Sequence, residues 1–182
     1  MGYTTTFDGV INVDPPLSDA EVAYLKKFSR TRRMNCQQGP YYVDRGGGYG
    51  QDHGPDVIDY NEPPAGQPGL WCKWVPTDDG EGIEWDGNEK FYESVEWMQY
   101  LIDHFIGPSP LAQNQLPFFT GHNCNGQLEA SGEEAGDLWL LVVKNNKASE
   151  RRGKVVYQDE AISEGTIIEG DYIDLDKQRL LR

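Results

Sequence analysis

The chain is 182 residues long and carries 30 acidic against 16 basic residues, a formal net charge of −14. That balance argues against direct nucleic-acid binding, because a phosphate backbone rewards net positive surface. No run approaches the roughly 18 consecutive apolar residues of a membrane helix and no basic-then-apolar leader opens the chain, so a soluble, cytoplasmic protein is expected.

The acidity is unevenly placed. Residues 44–96 hold thirteen acids against Arg45, Lys73 and Lys90, whereas basic residues gather at 26–33 and 144–154. Cys36, Cys72 and Cys124 form an odd, widely spaced set that suits a reducing compartment better than a disulfide scaffold. Five Trp, ten Tyr and six Phe can supply an aromatic core despite a hydrophobic fraction of only 37%.

In chain order, Phe7, Val10, Ile11 and Val13 alternate imperfectly around Gly9 and predict a first strand with a bulge. Pro15-Pro16 stop it. Ser18 and Glu21 then have capping-box spacing, Leu17 and Val22 sit at the staple positions, and Val22, Leu25 and Phe28 supply a narrow apolar stripe. A helix fraying near Arg30–Arg33 follows, with its cations at the negative end of the dipole.

Residues 34–69 are broken by Gly46-Gly47-Gly48, Pro63-Pro64 and Gly66-Gln67-Pro68-Gly69, and only Tyr41–Val43 and Val57-Ile58 suggest short strands. Connections this long are usually functional or mobile. The triple glycine is not a phosphate loop, since no Gly-Lys-Ser/Thr follows it.

The stretch Gly69–Ile106 is the expected heart of the fold. Leu70, Cys72 and Trp74 would share one strand face, residues 77–82 form a hairpin turn, and Ile83–Trp85 return. Asp86 with Glu89 predicts a second capped helix, whose buried face is Phe91, Val95, Met98, Ile102 and Phe105. Beyond Gly107-Pro108, strands are expected at Leu116–Thr120, Gln127–Ser131 and Leu138–Val143, with Asn145-Asn146 reversing the chain into Lys147–Ser149. Short alternating stretches at 154–157, 166–169 and 172–175 suggest further strands or a partner-binding tail. The fold expected is α+β, a ferredoxin-like split βαβ with additional C-terminal antiparallel strands. The expected division is a core over 1–149, with an irregular insertion at 34–69, and an extension over 150–182.

The segment Asp59–Trp74, reading Asp-Tyr-Asn-Glu-Pro-Pro-Ala-Gly-Gln-Pro-Gly-Leu-Trp-Cys-Lys-Trp, resembles a family of small uncharacterised proteins from phages and bacteria, as do Thr31-Arg32-Arg33-Met34, Trp85-Asp86-Gly87 and Glu89–Tyr92. The resemblance covers about two thirds of the chain and stops near residue 150. It implies a phage or mobile-element context and carries no activity with it.

No catalytic set emerges. Cys36, His53, Cys72, His122 and Cys124 lack any Cys-x-x-Cys pair, and Asp78 and Asp79 belong to a turn without calcium-loop spacing. No cofactor is expected. The leading expectation is a non-enzymatic interaction protein that binds a host protein with a basic surface, one that normally holds nucleic acid, such as a CRISPR-type defence complex. Asp56, Asp59, Tyr60, Asp78, Asp79, Glu81 and Glu84 are its contact residues. Two alternatives stand beside it. One is a small-ligand or nucleotide pocket, with or without enzymatic activity, built from Arg32, Arg33, His53, Trp71 and Trp85. The other is a phage assembly component that pairs its C-terminal strands with a neighbour. The oligomeric state stays open.

Overall fold

A computed structural model describes residues 2–43 and 54–153 of the chain. The triple glycine, His53 and the stretches expected as strands beyond residue 153 lie outside the described residues.

The protein is α+β. Its main sheet has six strands in the order β4-β5-β1-β6-β7-β8, every neighbouring pair antiparallel. The strands are β1 (Thr5–Asp14), β4 (Trp74–Pro76), β5 (Gly82–Trp85), β6 (Asn123–Gly132), β7 (Leu138–Lys144) and β8 (Lys147–Arg152). Two short strands, β2 (Asn35–Cys36) and β3 (Val57–Asp59), pair separately within the insertion. The segment β6-β1-β5-β4 follows the strand order of a split βαβ sheet, and β7 and β8 extend it by hairpins. Strand β8 runs past residue 150, so the last pairs of the core sheet cross the division expected at 149/150.

Strand β1 has no bulge: its ten residues pair with the ten of β6 in one unbroken register, Thr5↔Gly132 to Asp14↔Asn123. Gly9 explains why. Its φ of +119° is open to glycine, and a Cβ there would stand 2.9 Å from the Gln127 carbonyl oxygen. The glycine thus lets two strands approach closely rather than marking an extra residue.

Helix α1 (Asp19–Arg30) begins as its sequence dictates. The Glu21 amide donates to Ser18 Oγ at 3.4 Å and the Ser18 amide donates to Glu21 Oε2 at 2.7 Å, a complete capping box. Its buried face is Tyr24, Leu25, Phe28 and Ser29, and Ser29 Oγ donates to the Trp74 carbonyl at 2.5 Å.

Helix α2 differs from expectation. It spans Ser94–Leu101 and continues as one wider π-type turn over Ile102–Ile106, starting eight residues after Asp86. Asp86 instead accepts from the Asn88 amide in a local turn, and Gly87, Lys90 and Glu93 all take positive φ, which no helix tolerates. Phe91 still reaches the core from outside the helix. The interior face of α2 is wider than one stripe, since Trp97, Met98, Tyr100, Leu101, Ile102, Phe105 and Ile106 are all buried.

Two strand boundaries also shift. Residues 70–73 keep the expected alternation, with Cys72 and Trp74 fully buried, but only Trp74–Pro76 joins the ladder. The Leu70 carbonyl is taken by the Arg33 amide at 2.9 Å. Residues 116–120 form turns, not a strand. The Leu116 and Phe119 amides bond back to Ala112 and Leu116, and Pro117 removes a ladder donor. Strand β6 accordingly starts at Asn123, inside what reads as a turn.

Both helices cover one sheet face. Phe7, Ile11 and Val13 of β1 and Leu128 and Ala130 of β6 point into the core, while Asp8, Val10, Asn12, Gln127 and Glu129 face out.

Candidate functional site

The acidic residues expected to bind a partner fall into two groups. Asp78, Asp79 and Glu81 share the β4–β5 hairpin turn. Asp78 pairs with Lys26, and Asp79 Oδ1 accepts from Thr77 Oγ1 at 2.6 Å and from the Glu81 amide at 3.0 Å. Those two donors hold the Asp79 carboxyl below its ordinary value. The Glu81 and Glu84 side chains are exposed and bond to nothing among the described residues. Asp56, Asp59 and Tyr60 belong to β3 and its flanks, where Asp59 Oδ1 accepts from the Asn61 amide at 2.8 Å.

Of the five residues expected around a ligand pocket, Arg32, Arg33 and Trp85 meet different partners. Arg32 Nε donates to the Tyr60 carbonyl at 3.3 Å, which ties α1's exit to β3. Trp85 packs edge-on against Phe7 with centroids 5.9 Å apart, and its buried indole nitrogen has no acceptor among the described residues. Trp71 is half-buried, and His53 lies outside the described residues.

Arg33 is interior, 2% exposed, with its Cζ 4.1 Å from the Phe28 ring centroid. One terminal nitrogen donates to the Pro40 and Tyr42 carbonyls at 2.7 and 3.0 Å, while Nε and Nη1 have no acceptor among the described residues. No carboxylate pairs with it among the described residues. Burial therefore pushes its pKa down. Gln67 joins the cluster by donating to the Pro40 carbonyl at 2.8 Å and to Tyr100 Oη at 2.9 Å. His104 stacks on Tyr100 with centroids 3.9 Å apart and meets Tyr41 Oη through Nδ1 at 2.7 Å; burial pushes its pKa down. These contacts staple the insertion to α1 and α2.

The three cysteines are buried free thiols, and burial raises Cys72 and Cys124 to about 12. Among the described residues no group of three or more His, Cys, Asp or Glu side chains could hold a metal ion. His122 is committed to a buried pair with Glu21 at 3.0 Å.

The open sheet face is where exposed charge and apolar surface meet. Because Ile83 and Ile11 lie in the core, Glu84 of β5 faces outward next to Val10 of β1, on the same sheet face as Asp8 of β1 and Glu129 of β6. Asp8 and Glu129 stand directly opposite each other in the ladder, and neither is hydrogen-bonded or ion-paired through its side chain among the described residues. Like charges in that position repel. On the same face β7 supplies Leu138, Leu140 and Val142, and β8 supplies Arg151 opposite Leu140. A groove of about 230 Å³ runs here, lined by Thr6, Asp8, Glu129, Leu138, Leu140 and Gly153 among others. It is smaller than the roughly 300–1,000 Å³ of small-molecule sites and suits one large side chain. Leu140 forms its floor at 7% exposure.

Asp8 and Glu129 were not legible as a pair in the sequence. Their 121-residue separation becomes a contact only through the β1–β6 register, although the alternation of β1 already turns Asp8 away from the core. Comparison with protein-family models, curated proteins and solved structures finds no match to this chain.

Proposed function

We propose that this protein acts by binding, presenting an acidic exterior to a partner protein with a basic surface, of the kind that otherwise holds nucleic acid. Inhibition of a host nucleic-acid-handling or defence complex, in the phage or mobile-element context implied by the resemblance of residues 59–74, is the purpose this reading favours. The observation that carries it is the set of exposed carboxylates without partners among the described residues: Asp8, Glu84 and Glu129 on the open sheet face and Glu81 on the adjoining hairpin. Asp78 and Asp79 contribute to the field but are already engaged by Lys26 and Thr77.

Such binding is steered by long-range attraction and weakens with salt, because the Debye length falls from about 10 Å at 0.1 M to about 3 Å at 1 M. Affinity capture from a bacterial lysate at low and high salt tests it. Basic proteins are expected to be retained at low salt, released at high salt, and lost when Asp56, Asp59, Glu81 and Glu84 are reversed to Lys. Retention that ignores both salt and reversal would refute it.

A further inference from the structure

We infer that the groove over Leu138 and Leu140 is an arginine receptor: it seats one arginine side chain of a partner segment, with the guanidinium between Asp8 and Glu129. The inference rests on the binding function proposed above and names the chemistry that one part of the acidic exterior recognises. Three features of the open face converge on it. The floor is apolar, formed by Leu138 and by Leu140 at 7% exposure. The wall carries two carboxylates directly opposite each other across β1 and β6. Among the described residues neither carboxylate has an internal cation, since no ion pair or hydrogen bond there engages either one.

A groove with an apolar floor and an anionic wall asks for a ligand that is apolar along its body and cationic at its tip. Arginine and lysine both have that form. Arginine fits better for two reasons. Its planar head presents donors on more than one edge and so can serve two carboxylates at once, and it sheds water more readily than an ammonium. A divalent metal ion is a poor occupant, because calcium takes six to eight oxygen ligands and half of this lining is hydrocarbon. Arg151 of the protein itself stands on the far side of Leu140 from Glu129, two strands from it in the ladder, and forms no ion pair with it. No cation among the described residues takes the seat, which is therefore open to one from a partner. Arrival of that cation relieves the cross-strand repulsion.

The test uses the full chain and two nine-residue Gly/Ser peptides, one bearing a central Arg-Gly-Arg and the other Lys-Gly-Lys, titrated by NMR at low salt. Saturable shifts are expected at the amides of Asp8, Glu129, Leu140 and Gly153, with at least threefold tighter binding of the arginine peptide. The double variant Asp8→Asn/Glu129→Gln should weaken that binding at least tenfold while melting at the same temperature or higher, since it removes a repulsion. Equal affinity for both peptides, or shifts elsewhere only, overturns the inference. So do Leu140 methyl cross-peaks to residues of 154–182, which would mean that the chain fills its own groove. Lysate capture separates the two proposals. If Asp8→Asn/Glu129→Gln leaves capture intact while reversal of Glu81 and Glu84 abolishes it, the groove fails and the acidic-binding function stands. If the arginine peptide binds as expected but no basic protein is captured, the function fails and the groove stands.

Discussion

His122 Nε2 lies 3.0 Å from Glu21 Oε1, and its Nδ1 lies 2.6 Å from the Pro15 carbonyl oxygen. A carbonyl only accepts, so Nδ1 carries a proton, and the second nitrogen is turned to a carboxylate that also receives the Thr120 amide at 2.9 Å. Both side chains are at most 2% exposed. One buried pair thereby fastens the start of α1 to the turn after β1 and to the approach to β6.

Breaking that pair should be costly, because the surviving partner is left buried without its mate. Glu21→Gln and His122→Ala are each expected to destabilise by about 3–5 kcal/mol, read as a lower urea midpoint. Burial works to raise the Glu21 pKa, but His122, the Thr120 amide and the Ser18 hydroxyl and amide outweigh it and hold the carboxyl below its ordinary value. A depressed folded value means that the unfolded chain binds the proton more readily. The contribution is present above the unfolded value and is lost as pH falls through the folded one. Acid unfolding of the wild type should therefore be steeper than that of Glu21→Gln below about pH 4.5. Parallel acid profiles would refute the assignment.

At alkaline pH the sign reverses. Burial raises the Cys72 and Cys124 thiols from 9.0 to about 12 and Tyr100 from 10.0 to about 12. These groups hold their protons more tightly in the folded chain, so their contribution is complete below pH 9 and is lost as pH rises toward 12. Stability should decline across that window. At pH 8, iodoacetamide should leave Cys72 and Cys124 unmodified until urea is added, as mass spectrometry of the peptides would report.

The β7–β8 reversal depends on two left-handed asparagines, Asn145 at φ 51° and Asn146 at φ 64°. Only Asn146 also caps a neighbour, accepting from the Cys124 amide through Oδ1 at 2.7 Å. Asn146→Ala is expected to lower stability by about 2–3 kcal/mol through strain plus the lost acceptor. Asn145→Gly should be neutral or stabilising by up to about 1 kcal/mol. Equal thermal midpoints for the two variants would contradict this division.

Arg33 makes a different prediction, because part of its guanidinium bonds to nothing among the described residues. Arg33→Met gives up two carbonyl contacts and the Phe28 stacking, yet it also removes a buried charge with no carboxylate beside it. The net effect should be local. Amide exchange at Gly39 and Tyr42 should quicken, while the urea midpoint falls less than it does for His122→Ala. Unchanged exchange across 37–43 would show that Arg33 does not hold the insertion down.

Local chemistry alone specified α1 with its capping box, the Asn-Asn reversal, the hydrophobic β7 and the burial alternation around Cys72 and Trp74, because each is set by neighbours within a few residues. The net acidity was equally plain. What only the tertiary structure decided lies at longer range. Positive φ at Lys90 and Glu93 delays α2, a full-length partner in β1 draws Asn123–Gly126 into β6, and Arg33 turns inward rather than toward a ligand. Above all, the meeting of Asp8 with Glu129 is a matter of strand register. A shift of one residue would place Asp8 opposite Leu128 or Ala130, and no pattern within either strand alone encodes which residue of the other it will face.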